Sequence, residues 1–178
     1  QAAFEAQDRE LLTEITLPTF EVVAKEFEVK QFQFIQPPAT SFLRLHQLDR
    51  FGDDLSSIRF TVLEANATQK PVSGIEIGRG GLGVRGEVPI FYQGRHLGVV
   101  DVGLDIGPAY LQKIKEQYGV EVQILLEKGA AEAATFEGVT SDVTGPIPSL
   151  LLQATTFENA SFADPAIYER VLNGETVF

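Results

Sequence analysis

The stretch from 72 to 105 constrains this chain most. It holds three runs of apolar and polar alternation, and the last two are separated by the two-residue turn signal Gln93-Gly94. Val84, Val88, Ile90 and Tyr92 keep the two-residue repeat of a half-buried strand. Reading 72–78, 82–92 and 96–105 as strands with short connections gives an antiparallel sheet, because parallel neighbours need a long crossover.

The same stretch contains a literal G-x-G-x-x-G at Gly78, Gly80 and Gly83, with Asp101 downstream. A dinucleotide turn requires a helix after the glycines, since the helix N-terminus supplies amide hydrogens to the pyrophosphate. Here an alternating strand follows, and Pro89 argues against a helix interior. The glycines therefore read as a connection between strands, where they supply positive φ or allow close backbone approach.

Helical spacing occupies the flanks. Phe4, Leu11, Leu12 and Ile15, then Phe20, Val23, Ala24 and Phe27, mark two helical segments or one kinked helix around Pro18. Two short aromatic runs, "VKQFQFI" and "TSFLRLH", read as strands joined through Gln36-Pro37-Pro38-Ala39. Residues 49–66 return to helical spacing, with Asp53 or Asp54 as the natural N-cap. Pro108 and Gly119 bound a further helix, "VEVQILL" is one more strand, and 165–173 suits a short helix. The predicted class is α+β, with helices packed on a central antiparallel sheet of five to six strands. The chain reads as one domain over 1–178: an N-terminal helical segment (1–28), a core (29–127) and a C-terminal extension (128–178).

The net charge of −11 disfavours nucleic acid as a partner. The absence of cysteine excludes disulfides, zinc fingers and thiol chemistry. No G-x-S-x-G elbow accompanies His46 and His96, so nothing compels catalysis. No metal or cofactor is expected: His46, Asp49, Asp53 and Asp54 offer one histidine, and acids at a helix start are usually caps. The remaining chemistry lies in the arginines. Phe42, Arg44 and His46 share a strand face, Arg59 borders an apolar helix face, and Arg85 lies on a later strand. Converging guanidiniums suit a small anion, and equally they suit structural pairing with Asp53, Asp54, Glu76 or Asp101. Both roles stay open for Arg44 and Arg59, whereas Arg85 fits pairing better.

The segments "FLRLH", "FGDDLSS", "PVSGIE", "GRGGLG" and "GRHLG" together resemble the Cache-type extracytoplasmic sensor domains of bacterial methyl-accepting chemotaxis receptors, sensor kinases and diguanylate cyclases, in particular the double-sensory-domain branch. That resemblance implies a PAS-like sheet behind a long N-terminal helix. It implies a periplasmic, non-enzymatic sensor of a membrane-anchored receptor, with a small-molecule ligand such as a carboxylate. A homodimer through the N-terminal helix and a ligand-free structural or dimerisation lobe are further readings. The site residues it suggests are Arg44, His46, Arg59, Arg85, Tyr92 and Asp101. The lack of Trp departs from the amino-acid-binding signature of some relatives, so an α-amino-acid ligand is not expected.

Overall fold

A computed structural model of the chain describes residues 1–134, 146–157 and 164–177; parts of the expected C-terminal extension lie outside these. In chain order the elements are α1 (Ala2–Glu5), α2 (Arg9–Phe27), β1 (Gln31–Gln36), β2 (Thr40–Arg44), α3 (Phe60–Thr68), β3 (Val72–Gly78), β4 (Gly81–Tyr92) and β5 (Arg95–Asp105). They continue with α4 (Pro108–Tyr118), β6 (Gln123–Glu127), α5 (Lys128–Ala133), β7 (Leu150–Thr155) and α6 (Pro165–Leu172). The backbone groups into two compact units: Gln1–Glu76 with Leu82–Asp105, and Ile77–Gly81 with the chain from Ile106 onward.

The first unit is built on a five-stranded sheet in the order β2-β1-β5-β4-β3. β1 pairs antiparallel with both β2 and β5, and β5 pairs antiparallel with β4 across the Gln93-Gly94 turn. Positive φ at both turn residues, 50° and 78°, matches what a tight hairpin demands. Gln33 lies opposite Asp101 on β5, which lies opposite Glu87 on β4, so these side chains share one face. We term it the inner face.

The outer face is apolar. Phe34, Leu43 and Ile90 form a buried cluster with Phe4 of α1 and Leu12 of α2, and Leu17, Phe20, Phe32 and Val100 pack against it. Phe4 stacks obliquely on Phe34 and Phe42 at centroid separations of 5.7 and 5.3 Å. The helical spacing around Pro18 resolves into the short α1 and one continuous α2 with Pro18 inside, after an Asp8 cap that accepts from Leu11 N at 3.0 Å. Asp8 therefore starts the long helix, and Glu28 at φ 58° ends it.

Residues 49–59 depart from the predicted helix, which begins only at Phe60. Their backbone groups bond instead to the edge of the sheet. Ser41 N donates to Asp53 O, Gly52 N to Ser41 O, and Leu55 N to Ala39 O. Asp54 caps only its own turn, accepting from Ser56 N at 2.9 Å. A nonlocal ladder thus displaces the local helical preference. α3 then lies against β5, with Val62 and Ala65 fully buried.

In the second unit β6 pairs antiparallel with β7. α4 runs from Pro108 to Tyr118 and is closed by Gly119 at φ 66°. Lys115 Nζ ties this helix to Thr156 O at 3.1 Å and to Glu121 Oε1 at 2.7 Å. Among the described residues no helix is long and apolar enough to cross a membrane.

Gly98 is the residue on which β1–β5 pairing turns. Its φ is +147°, and an added Cβ would overlap Ile35 O and lie 3.2 Å from the Phe4 ring. Gly98→Ala should cost at least about 2 kcal/mol. Gly86→Ala, whose added Cβ meets nothing within 4 Å, should stay within about 0.5 kcal/mol of the parent. Urea unfolding of the two variants tests the contrast.

Candidate functional site

The inner face gathers polar side chains where a sheet normally buries apolar ones. Gln33, Asp101, Arg85, Glu87 and Glu76 come from β1, β5, β4 and β3, and meet Arg59 and Thr61 at the start of α3. All seven are at least nine-tenths buried. Strand register places the acids: Asp101 stands between Gln33 and Glu87 because those are its ladder partners.

Arg59 is the centre of the bonding. Its Nη2 contacts Asp101 Oδ2, and its Nη1 lies 3.4 Å from Glu76 Oε2. Gln33 Nε2 donates to the same Asp101 oxygen at 2.5 Å. Thr61 holds the two glutamates, its amide donating to Glu76 Oε1 at 2.6 Å and its hydroxyl to Glu87 Oε1 at 3.0 Å. The α3 N-terminus therefore receives a carboxylate, as its dipole favours. Arg85 extends over Gly103, its ladder partner, where any Cβ would overlap Nη1. At Gly83 an added Cβ would lie 2.9 Å from Leu104 O and 3.4 Å from Arg85 Nε. The last glycine of the G-x-G-x-x-G thus makes room chiefly for the backbone carbonyl of Leu104.

Much of this bonding capacity is unused. Gln33 Oε1, Arg59 Nε, Glu76 Oε2, Arg85 Nε and Nη1, Glu87 Oε2 and Asp101 Oδ1 are buried without a hydrogen-bond partner among the described residues. Elsewhere among those residues only Ser41 Oγ, Asn66 Oδ1 and His96 Nε2 are in that state. Native interiors leave few such atoms, so their concentration here marks a place that can receive polar groups. Burial, then the Asp101 charge, push the Glu87 carboxyl up to about 9, against the opposing pull of Arg59 and Thr61. Burial, then the Arg59 charge, lower Arg85 below the ordinary guanidinium value.

Of the residues suggested from the sequence, Arg59, Arg85 and Asp101 meet in this cluster. The other three take no part in its bonding, although Arg44 is the ladder partner of Gln33 and so shares the inner face. Arg44 grips Asp53 through both carboxylate oxygens, at 2.7 and 2.9 Å, and donates to Arg50 O at 3.0 Å. It fastens the 50–54 loop to β2. His46 places Nδ1 3.2 Å from Phe32 N, which donates to it, so the ring latches the sheet edge. Burial holds its pKa below the ordinary histidine value. Tyr92 ends β4 opposite Arg95, about 17 Å along the strand from Glu87. Gln33, Thr61 and Glu87 were not anticipated, and Glu76 only as a pairing partner. The available signal was the alternation of β4, which puts Glu87 on the same face as Arg85 and opposite to Val84 and Val88. Among the described residues no group of His, Cys, Asp and Glu is arranged to hold a metal ion.

A family model, dCache_3, described as the double sensory domain of two-component sensor kinase, matches residues 1–159. No curated protein matches the chain. Among solved structures, the sensor domain of the V. cholerae histidine kinase DctB is similar, with a TM-score of 0.51 and 15% identity over 71% of this chain. The chain spans about half of that structure, 49% of its length. At this identity the likeness is one of fold.

The raised Glu87 pKa has a consequence for stability. The folded state binds a proton at Glu87 that the unfolded chain releases near pH 4.5, so this contribution falls as pH rises from there to about 9. Glu87→Gln removes that dependence. Relative to the parent, the variant should gain stability at on the order of 1 kcal/mol per pH unit across that window. Chemical denaturation at three pH values between about 6 and 8 checks the slope of the difference.

Proposed function

The chain belongs to the double sensory domains of two-component sensor kinases, and from that membership we propose that it binds a small organic anion, such as a carboxylate, outside the cytoplasm. The observation that supports this reading is Arg85. The residue is 2% exposed, and two of its nitrogens lack hydrogen-bond partners among the described residues. A buried guanidinium with unused donors matches a carboxylate, which accepts charge-assisted hydrogen bonds. Arg59 Nε adds a third unused donor.

Both arginines are almost fully buried, so the anion reaches them only when a covering segment moves. The irregular stretch leading to Arg59 is such a segment, tied to the sheet by Arg44–Asp53 and Arg59–Asp101. Binding would shift the population between two packings of this stretch and α3 on the sheet. In the full receptor that shift would pass through the membrane to a kinase. The family description favours a kinase output over a chemotaxis receptor. We assign the chain no catalytic step: His46 is engaged by Phe32, and His96 packs against the Phe91 ring. Leu11, Ile15 and Val22 lie exposed on α2, at spacing that suits packing on a second copy of the helix. The alternative of a ligand-free structural lobe leaves three buried guanidinium nitrogens of Arg59 and Arg85 without an acceptor among the described residues.

The test is a thermal-shift series with acetate, propionate, pyruvate, succinate and glutarate. At about a hundredfold excess over Kd a bound carboxylate should raise Tm by roughly 5–10 °C. Arg85→Met removes the unused donors and should lose that response, with its own unfolding transition showing that the variant is folded. No shift with any of the five, on a well-folded protein, overturns the organic-anion reading.

A further inference from the structure

The cluster poses a charge problem for any anion. Arg59 and Arg85 stand against three carboxyl groups, Glu76, Glu87 and Asp101, all deeply buried. Were every group ionised, the cluster would be net negative before an anion arrived, and burying unbalanced charge is costly. Arg59 engages Asp101 and Glu76, which leaves Glu87 with the Thr61 hydroxyl as its donor. Glu87 and Asp101 are direct ladder partners, 0% exposed each, and each keeps one oxygen without a donor. A buried acceptor left on each of two ladder partners, with no donor for either, is reconciled if the pair shares a single proton.

We propose that Glu87 is a neutral carboxylic acid in the folded sensor, sharing its proton with Asp101, and that this proton makes the cluster receptive to an organic anion. With it, two buried guanidiniums balance two buried carboxylates, Glu76 and Asp101, while the exposed Asp105 also acts on Arg85. The second half of the proposal rests on the organic-anion reading; the proton itself does not.

The neighbours on every side agree with this assignment. β1 contributes the uncharged Gln33 and α3 the Thr61 hydroxyl, while Glu76 of β3 is held by Arg59 and the Thr61 amide. Burial and then the Asp101 charge raise Glu87, in the direction this assignment requires. His46 feels the Asp101 charge, but burial keeps it neutral at and above neutral pH. Anion binding should then be insensitive to pH near neutrality and weaken as Glu87 ionises at about 9.

Infrared difference spectroscopy in H2O and D2O reads the proton directly. At about pH 7 the parent should show the C=O stretch of one protonated carboxyl group, lost on titration to about pH 10 and absent from Glu87→Gln. Parent protein with no such band at neutral pH overturns the proposal, even if carboxylates bind and even if the variant does not fold. The thermal-shift series supplies the second arm. Glu87→Gln should keep the carboxylate-induced rise in Tm at about pH 7, and should retain it at about pH 9.5 where the parent loses it. A folded Glu87→Gln that no longer responds shows that an ionised Glu87 is required, and likewise overturns the proposal. A carboxyl band without any carboxylate response overturns the organic-anion reading and the receptive role while leaving the proton assigned.

Discussion

The contact between Arg59 and Asp101 fixes the first unit. It joins the residue that opens α3 to the strand in the middle of the sheet, and both side chains are buried, at 3% and 0% exposure. Such a pair adds little net stability, because desolvating two charges consumes most of the attraction between them. Breaking it is another matter, since either residue left alone is an uncompensated buried charge. The pair therefore sets where α3 begins and how it lies on β5, while the driving force for folding comes from elsewhere. That source is the outer face, where Phe4, Leu12, Phe34, Leu43 and Ile90 bury apolar surface between α1, α2 and the sheet. One face holds the sheet together and the other is free to be polar.

This division shows which parts of the structure are legible in the sequence. The helix around Pro18, the hairpin at Gln93-Gly94 and the helix between Pro108 and Gly119 are all written locally, in periodicity and in capping residues. The stretch 49–59 is not. Asp53 and Asp54 have the composition of a helix cap, yet Asp53 is taken by Arg44 and its backbone by Ser41. Partners distant in sequence outbid the local preference, and no window of the sequence contains them.

The cluster shows the same limit more sharply. Arg59, Arg85 and Asp101 stand out in the sequence as charges on predicted faces. Arg44 and His46 stand out for the same reason, but their side chains turn to Asp53 and to Phe32. Glu87 and Gln33 become neighbours of Asp101 only through the register of three strands, which alternation alone does not fix. The G-x-G-x-x-G is the converse case, a familiar spacing with a different physical cause. At Gly83 the missing side chain admits the Leu104 carbonyl, and it is Gly103, outside the motif, that makes room for Arg85.

The unused bonds of the cluster bear on how such a domain could signal. A buried donor or acceptor without a partner costs about 1–3 kcal/mol, and Arg85 alone carries two such atoms. An anion that satisfies one of them together with Arg59 Nε would favour the conformation that presents them by about 2–6 kcal/mol. Moving a two-state equilibrium from 1:99 to 99:1 takes about 5.5 kcal/mol. The energies are commensurate, so no large rearrangement of the apolar core is needed to supply the difference. The same arithmetic explains why the cluster is tied so closely to the start of α3. A ligand that changes the balance at Arg85 also changes what Arg59 must neutralise, and Arg59 is the residue at which the helix leaves the loop. Under the proposed reading, the polar face is the sensor because its charges are balanced narrowly, and the apolar face lets it remain so without unfolding the domain.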